Sequence, residues 1–133
     1  MLENLKRSNS LKLSVKFKMK LWIDDVRPAP PGYFRCRSVN EAKEIIEKYS
    51  SRIDFDNNSI DDIEMIDIDH DAGIYASQGG DYIKLLDWLE ETDRNYPIRI
   101  HSMNPVGVEN MRAIIRRNGW KERFYYQNFR YNI

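Results

Sequence analysis

Three short, mainly apolar stretches in this chain each end on acidic or imidazole side chains: Leu21-Trp22-Ile23 runs into Asp24-Asp25, Ile63 to Ile68 into Asp69-His70-Asp71, and Ile98 to Ile100 into His101-Ser102. Runs this short, bounded by loop residues, read as buried strands rather than helices. In open parallel α/β sheets, ligands bind in the crevice outside the carboxyl ends of the strands. Three polar tips after three strands therefore predict one shared site, and both histidines of the chain lie in those tips.

The segments between the runs alternate in character. Val26-Arg27-Pro28-Ala29-Pro30-Pro31-Gly32 cannot be a helix, because its three prolines remove donors and clash with a preceding turn. Tyr33 to Arg37 reads as a second strand. Ser38-Val39-Asn40-Glu41 is a capping box, and Val39, Ala42, Ile45, Ile46 and Tyr49 then form one apolar stripe at helical spacing. Asp54 to Asp62 reads as a solvated acidic loop. It fails as a calcium loop, since Ser59 and Met65 hold the positions that require Gly and Glu; the Asp67 stretch fails likewise at Ala72 and Gln78. A Gly73 to Gly80 loop leads into a helix lined by Tyr82, Leu85, Leu86 and Leu89, with Asp81 as the expected N-cap. Pro105 to Asn118 reads as a further helix with Val108, Met111, Ile114 and Ile115 inward and Gly119 as its stop. The aromatic stretch Phe124 to Phe129 reads as a fifth strand, a packing segment or a contact surface.

A chain of 133 residues suits one compact domain. The folded part is expected at 19–133, with the Lys- and Ser-containing 1–18 as an extension: a flexible arm, an edge strand or upstream sequence. Basic and acidic residues balance at 21 each, which argues against a nonspecific nucleic-acid surface. No apolar run approaches the roughly 20 residues that span a bilayer, and the start lacks the pattern of a secretory signal, so a cytoplasmic location is expected. Cys36 is the sole cysteine, which rules out an internal disulfide and a thiolate-rich metal site; its neighbours suit a packed strand.

Opening a cyclic phosphodiester, the reaction implied by the family resemblance set out below, needs a base to activate water, an acid to protonate the departing oxygen, and donors around the phosphoryl oxygens. His70 and His101 have the chemistry of the first pair, since imidazole titrates near neutrality. Arg27 suits a bidentate grip on phosphate, Ser102 and Asn104 are neutral donors, and the amides near Val106 and Gly107 open a helix. Asp24, Asp25 and Asp69 suit a divalent cation such as magnesium, because converging carboxylates repel one another without one. Structural readings stand beside these. A histidine at a strand end, carboxylates capping loops, an Arg27 bridge to the acidic pair, and Trp22, Trp88 and Trp120 as packing are all ordinary. Asp67 and Asp71 are expected to face elsewhere or to bond loop amides, although Asp71 also suits the orienting of a histidine.

Asp24-Asp25, Asp69 and Ser102 resemble the acidic pair, phosphoacceptor and hydroxyl residue of response-regulator receiver domains. The chain departs from that pattern in the proline loop, which replaces the first helix, and in lacking a lysine after a fifth strand. The set Asp-Asp-x-Arg-x-x-Pro, Asp-His-Asp and His-Ser-x-Asn-Pro, between Met19 and about Trp120, more closely resembles the receiver-like family proposed to process cyclic phosphates. The resemblance implies a flavodoxin-like three-layer α/β sandwich with a mainly parallel sheet, and activity on a small phosphorylated ligand or nucleotide terminus. Phosphoesterase-like hydrolysis, with His70, His101 and Asp69 as catalytic residues, leads. A phosphoacceptor receiver and a noncatalytic binder are the alternatives.

Overall fold

The structure is a computed structural model that describes residues 18–124. The strands are β1 (Met19–Ile23), β2 (Tyr33–Cys36), β3 (Arg52–Ile53), β4 (Ser59–Ile60), β5 (Ile63–Ile68), β6 (Ile98–Ile100) and β7 (Glu122–Arg123). The helices are α1 (Val39–Tyr49), α2 (Ile83–Glu91) and α3 (Pro105–Asn118), and a 3₁₀ turn covers Gly73–Ser77. β2-β1-β5-β6-β7 form one sheet, parallel throughout, while β3 and β4 pair separately as a hairpin. Apart from that hairpin, the order is the flavodoxin-like 2-1-3-4-5 expected above.

Topology decides which face of the sheet the helices cover. The steps from β2 past β1 to β5, from β5 to β6, and from β6 to β7 all run in one direction. Right-handed crossovers therefore put α1, α2 and α3 on one face. Leu21, Ile23, Ile66, Ile68 and Ile98 accordingly share a single core with Val39, Ala42, Ile46, Leu85, Leu86, Leu89, Met111 and Ile115. The β1 to β2 step runs the other way, so its connection belongs on the opposite face. That connection, residues 24–32, is the proline loop, where a helix is the usual solution. Among the described residues this loop, not a helix, serves that face, and Trp22 Nε1 ties it down by donating to Arg27 O at 3.0 Å.

Local signals set the helix ends. Ser38 Oγ accepts from Glu41 N at 3.0 Å, a cap worth about 1 kcal/mol against alanine. Asn104 caps α3 by accepting from Gly107 N at 3.1 Å, and Gly119, at φ 67°, ends it in the left-handed conformation that glycine adopts without strain. Two expectations are corrected. Asp81 does not cap α2, because its carboxylate accepts from Ala72 N at 3.2 Å and the helix opens without a side-chain cap. Nor is the Asp54 to Asp62 segment simply solvated. It turns through the β3-β4 hairpin, with Asp54 Oδ1 accepting from Asp56 N and Asn58 N, and it ends on a fully buried Asp62. Arg52 grips Asp62 bidentately at 2.7 and 2.9 Å.

Cys36 is fully buried at the end of β2. Burial, with the negative charge of Glu41 adding to it, pushes its thiol up to about 12. The C-terminal aromatic segment falls mostly at 125–133, outside the described residues, as does 1–17; β7 precedes it and forms the sheet's fifth strand.

Candidate functional site

Asp24, Asp69 and His101 each stand one residue beyond a strand, and the ladder continues through them. Asp24 N donates to Cys36 O at 3.1 Å, Asp69 N to Ile23 O at 2.9 Å, and His101 N to Ile68 O at 2.9 Å. The three side chains thus start from adjacent tips. Because side chains alternate along a strand, Asp24 shares a face with Trp22, Asp69 with Asp67, and His101 with Arg99. Trp22, Asp67 and Arg99 are themselves cross-strand neighbours.

His101 sits at the centre of this arrangement and is almost fully buried. Its Nδ1 lies 2.6 Å from Asp67 Oδ1, and its Nε2 lies 2.9 Å from Asp24 Oδ2. Its ring stacks on the Trp22 indole with centroids 3.8 Å apart and planes 4° from parallel. Asp67 is pinned in turn by Arg99 Nε at 2.7 Å, and Arg99 also donates to the Tyr33 hydroxyl. Asp24 Oδ1 accepts from the amides of Val26 and Arg27, both at 2.9 Å, leaving Oδ2 for the imidazole.

His70 has different surroundings. Its Nδ1 lies 2.8 Å from Asp71 Oδ1 and 3.4 Å from Asn104 Nδ2. Its ring lies against the first turn of α3, where a Cβ on Gly107 would come within 2.4 Å of ring carbons Cγ and Cδ2. Only glycine leaves that space. The two imidazoles therefore share no partner: His101 is locked among carboxylates behind the strand tips, and His70 rests on the helix side. A paired acid and base, as expected from the sequence, does not follow from this placement.

The remaining candidates divide in the same way. Asp69 accepts from its neighbour's amide, His70 N, at 2.7 Å, and it bonds the Ser102 hydroxyl. Oxygens of Asp24 and Asp69 and a nitrogen of His101 lie within 4.8 Å of one another, a spacing that suits a cation. Asp25 is not part of that group; its carboxylate lies beside Gly73, 2.5 Å from where a Cβ would stand. Arg27 Nη1 donates to His101 O at 3.1 Å. Asn104 spends its oxygen on the Gly107 amide, so that amide does not offer the anion contact expected of it. Asp67, Arg99 and Trp22 were not expected in the site, and Asp67, read as facing elsewhere, is one of the two carboxylates that meet the His101 ring.

Burial raises Asp69 above the ordinary carboxylate range, and the charge of Asp24 raises it further, against the opposing pull of the His70 amide, His101 and Ser102. A carboxyl with a raised folded-state value penalises folding once ionised. The penalty is absent below the unfolded value and complete above the folded one. Asp69→Asn should therefore raise the melting temperature near neutral pH, with the advantage shrinking as pH falls through the carboxylate range. Parallel melts across pH check this, and an advantage that grows on acidification would contradict it.

The cyclic-phosphate processing receiver domain family matches residues 19–117. The chain belongs to this family. No curated protein and no solved structure matches the chain. The matched region of this receiver domain runs from β1 nearly to the end of α3, so it takes in all three strand tips and both histidines. No helix among the described residues is long and apolar enough to cross a membrane.

Proposed function

We propose that this receiver domain hydrolyses a cyclic phosphate on a nucleotide or ribose, with His70 as its proton carrier. The reading is carried by one observation: the Asp69-His70-Asp71 turn meets Asp24 and Ser102 where the strands end. Asp71 accepts from His70 Nδ1, fixing the tautomer and leaving Nε2 for substrate. In the reaction, water adds to phosphorus and one phosphorus–oxygen bond to the ribose breaks. His70 Nε2 takes the proton from water and returns one to the departing oxygen. Ser102 and the Arg27 guanidinium are the donors for the phosphoryl oxygens. Asp24 and Asp69 would hold a divalent cation, which supplies positive charge to those same oxygens. His101 meets a carboxylate at each nitrogen and takes no part in the proton transfer.

Phosphorus NMR of cyclic nucleotides and terminal 2′,3′-cyclic phosphates, with and without divalent cations, tests the reading. Ring-opened monoester is expected, and Arg27→Ala should raise KM more than it lowers kcat. If no cyclic phosphate in the panel is opened, the hydrolytic reading is lost.

The contact between Asp69 and Ser102, beside Asp24, also favours a second reading, in which Asp69 is a phosphoacceptor. A small phosphodonor with magnesium would then leave an acid-stable, base-labile mass increase, absent in Asp69→Asn. No stable adduct is expected. Its accumulation would favour signalling over hydrolysis.

A further inference from the structure

We infer that Asp24, Asp69 and His101 form a site for a transition-type divalent cation such as zinc, manganese or cobalt, with His101 Nε2 as a nitrogen ligand, rather than an all-oxygen magnesium site. The inference deepens the reading above and rests on it for what the metal would do, though not for whether it binds.

The donor set is the first ground. The ligand atoms lie within 4.8 Å of one another, and they comprise two carboxylates and one imidazole. Magnesium favours oxygen ligands in a near-ideal octahedron, whereas imidazole suits zinc, copper, iron and nickel, and affinity rises along the first-row series. The acidic residue that would complete an all-oxygen set, Asp25, lies instead beside Gly73.

The second ground lies outside the cluster. Asp67, on strand β5, accepts from Nδ1 of His101 at 2.6 Å while Arg99 holds its other oxygen at 2.7 Å. A carboxylate behind an imidazole is the arrangement that fixes the tautomer and ring orientation of a metal-bound histidine. His101 Nε2 lies 2.9 Å from Asp24 Oδ2, so the nitrogen and the oxygen of Asp24 that takes no amide stand side by side where one cation could reach both, and Asp69 as well. The Trp22 stack holds the ring plane, and the Val26 and Arg27 amides commit the other oxygen of Asp24. Three protein ligands leave positions open for a phosphoryl oxygen, as in catalytic rather than structural sites.

The test titrates the whole, chelator-stripped chain with Co²⁺ alone and follows its visible ligand-field bands. Binding of one equivalent is expected, displaced by Zn²⁺ and indifferent to a large excess of Mg²⁺. His101→Asn should abolish the bands, Asp67→Asn should weaken binding about 10- to 100-fold, and His70→Asn should leave them in place. If His101→Asn does not fold, ring ¹H–¹⁵N spectra of the unmodified protein serve instead: Zn²⁺ should shift the His101 nitrogens and spare those of His70. Failure to bind Co²⁺ at millimolar concentration, displacement by equimolar Mg²⁺, Co²⁺ bands unchanged in His101→Asn, or Zn²⁺ shifts on His70 alone would overturn the inference. Metal binding without turnover of any cyclic phosphate would sink the hydrolytic reading and leave the metal site standing. Turnover by a protein that binds no such cation would do the reverse.

Discussion

Replacing His70 by alanine is expected to lower turnover of a cyclic phosphate by roughly 10² to 10⁴, the usual worth of a positioned acid or base. The ring is aimed by two features that can be altered separately. Asp71 holds Nδ1 from one side, so Asp71→Asn should lower kcat with little effect on KM. Gly107 makes room on the other side. A Cβ there would fall 2.4 Å from Cγ, the near end of the His70 side chain, so the ring must leave its place beside Asp71. Gly107→Ala should therefore lower turnover of the folded protein, and added to His70→Ala it should lower turnover little further, a pattern that general damage to the fold does not produce. Steady-state kinetics beside thermal melts give the answer. Undiminished turnover in a folded His70→Ala protein would return the chemistry to the carboxylates.

His101→Ala should cost the metal-free protein about 3–5 kcal/mol, the usual result of removing one member of a buried charged network. Asp24 and Asp67 are both fully buried, and each loses a contact within hydrogen-bonding distance when the imidazole goes. The cavity beside Trp22 also removes one face of a stacked ring pair. Asn at this position retains one donor and should lose less. Urea unfolding in the presence of a chelator measures both. A loss below about 1 kcal/mol, the net worth of a single ordinary hydrogen bond, would mean that the two carboxylates find other partners without cost.

What was legible in the sequence was mostly local. The Ser38 cap, the Gly119 stop and the limits of β5, β6 and α3 depend on residues a few positions apart, and short-range chemistry is enough to read them. Asp81 was misplaced for the opposite reason: a loop amide nine residues away, that of Ala72, claims its carboxylate. The three strand tips were legible as a site because each breaks an apolar run in the same way. Asp67 was not, since a lone acid within Ile66-Asp67-Ile68 looks like ordinary alternation, as does the lone base in Ile98-Arg99-Ile100. Only the register that sets Asp67 opposite Arg99 joins them. An acid in β5 and a base in β6, each flanked by isoleucines, were the available signal. The separation of the histidines depends on which face each tip turns toward, and sequence spacing does not carry that information.

The one thiol of the chain provides a gauge of how the sheet comes apart. Cys36 is fully buried, and with its thiol pushed up to about 12 it carries almost no thiolate at neutral pH, so an alkylating reagent reacts only when this part of the molecule opens. Its carbonyl is the acceptor for Asp24 N, which ties that opening to the tip of β1. Labelling rates at low denaturant therefore report separation of the β1-β2 edge, without an introduced probe, and comparison with global unfolding shows whether the edge carrying the proline loop yields before the rest of the core.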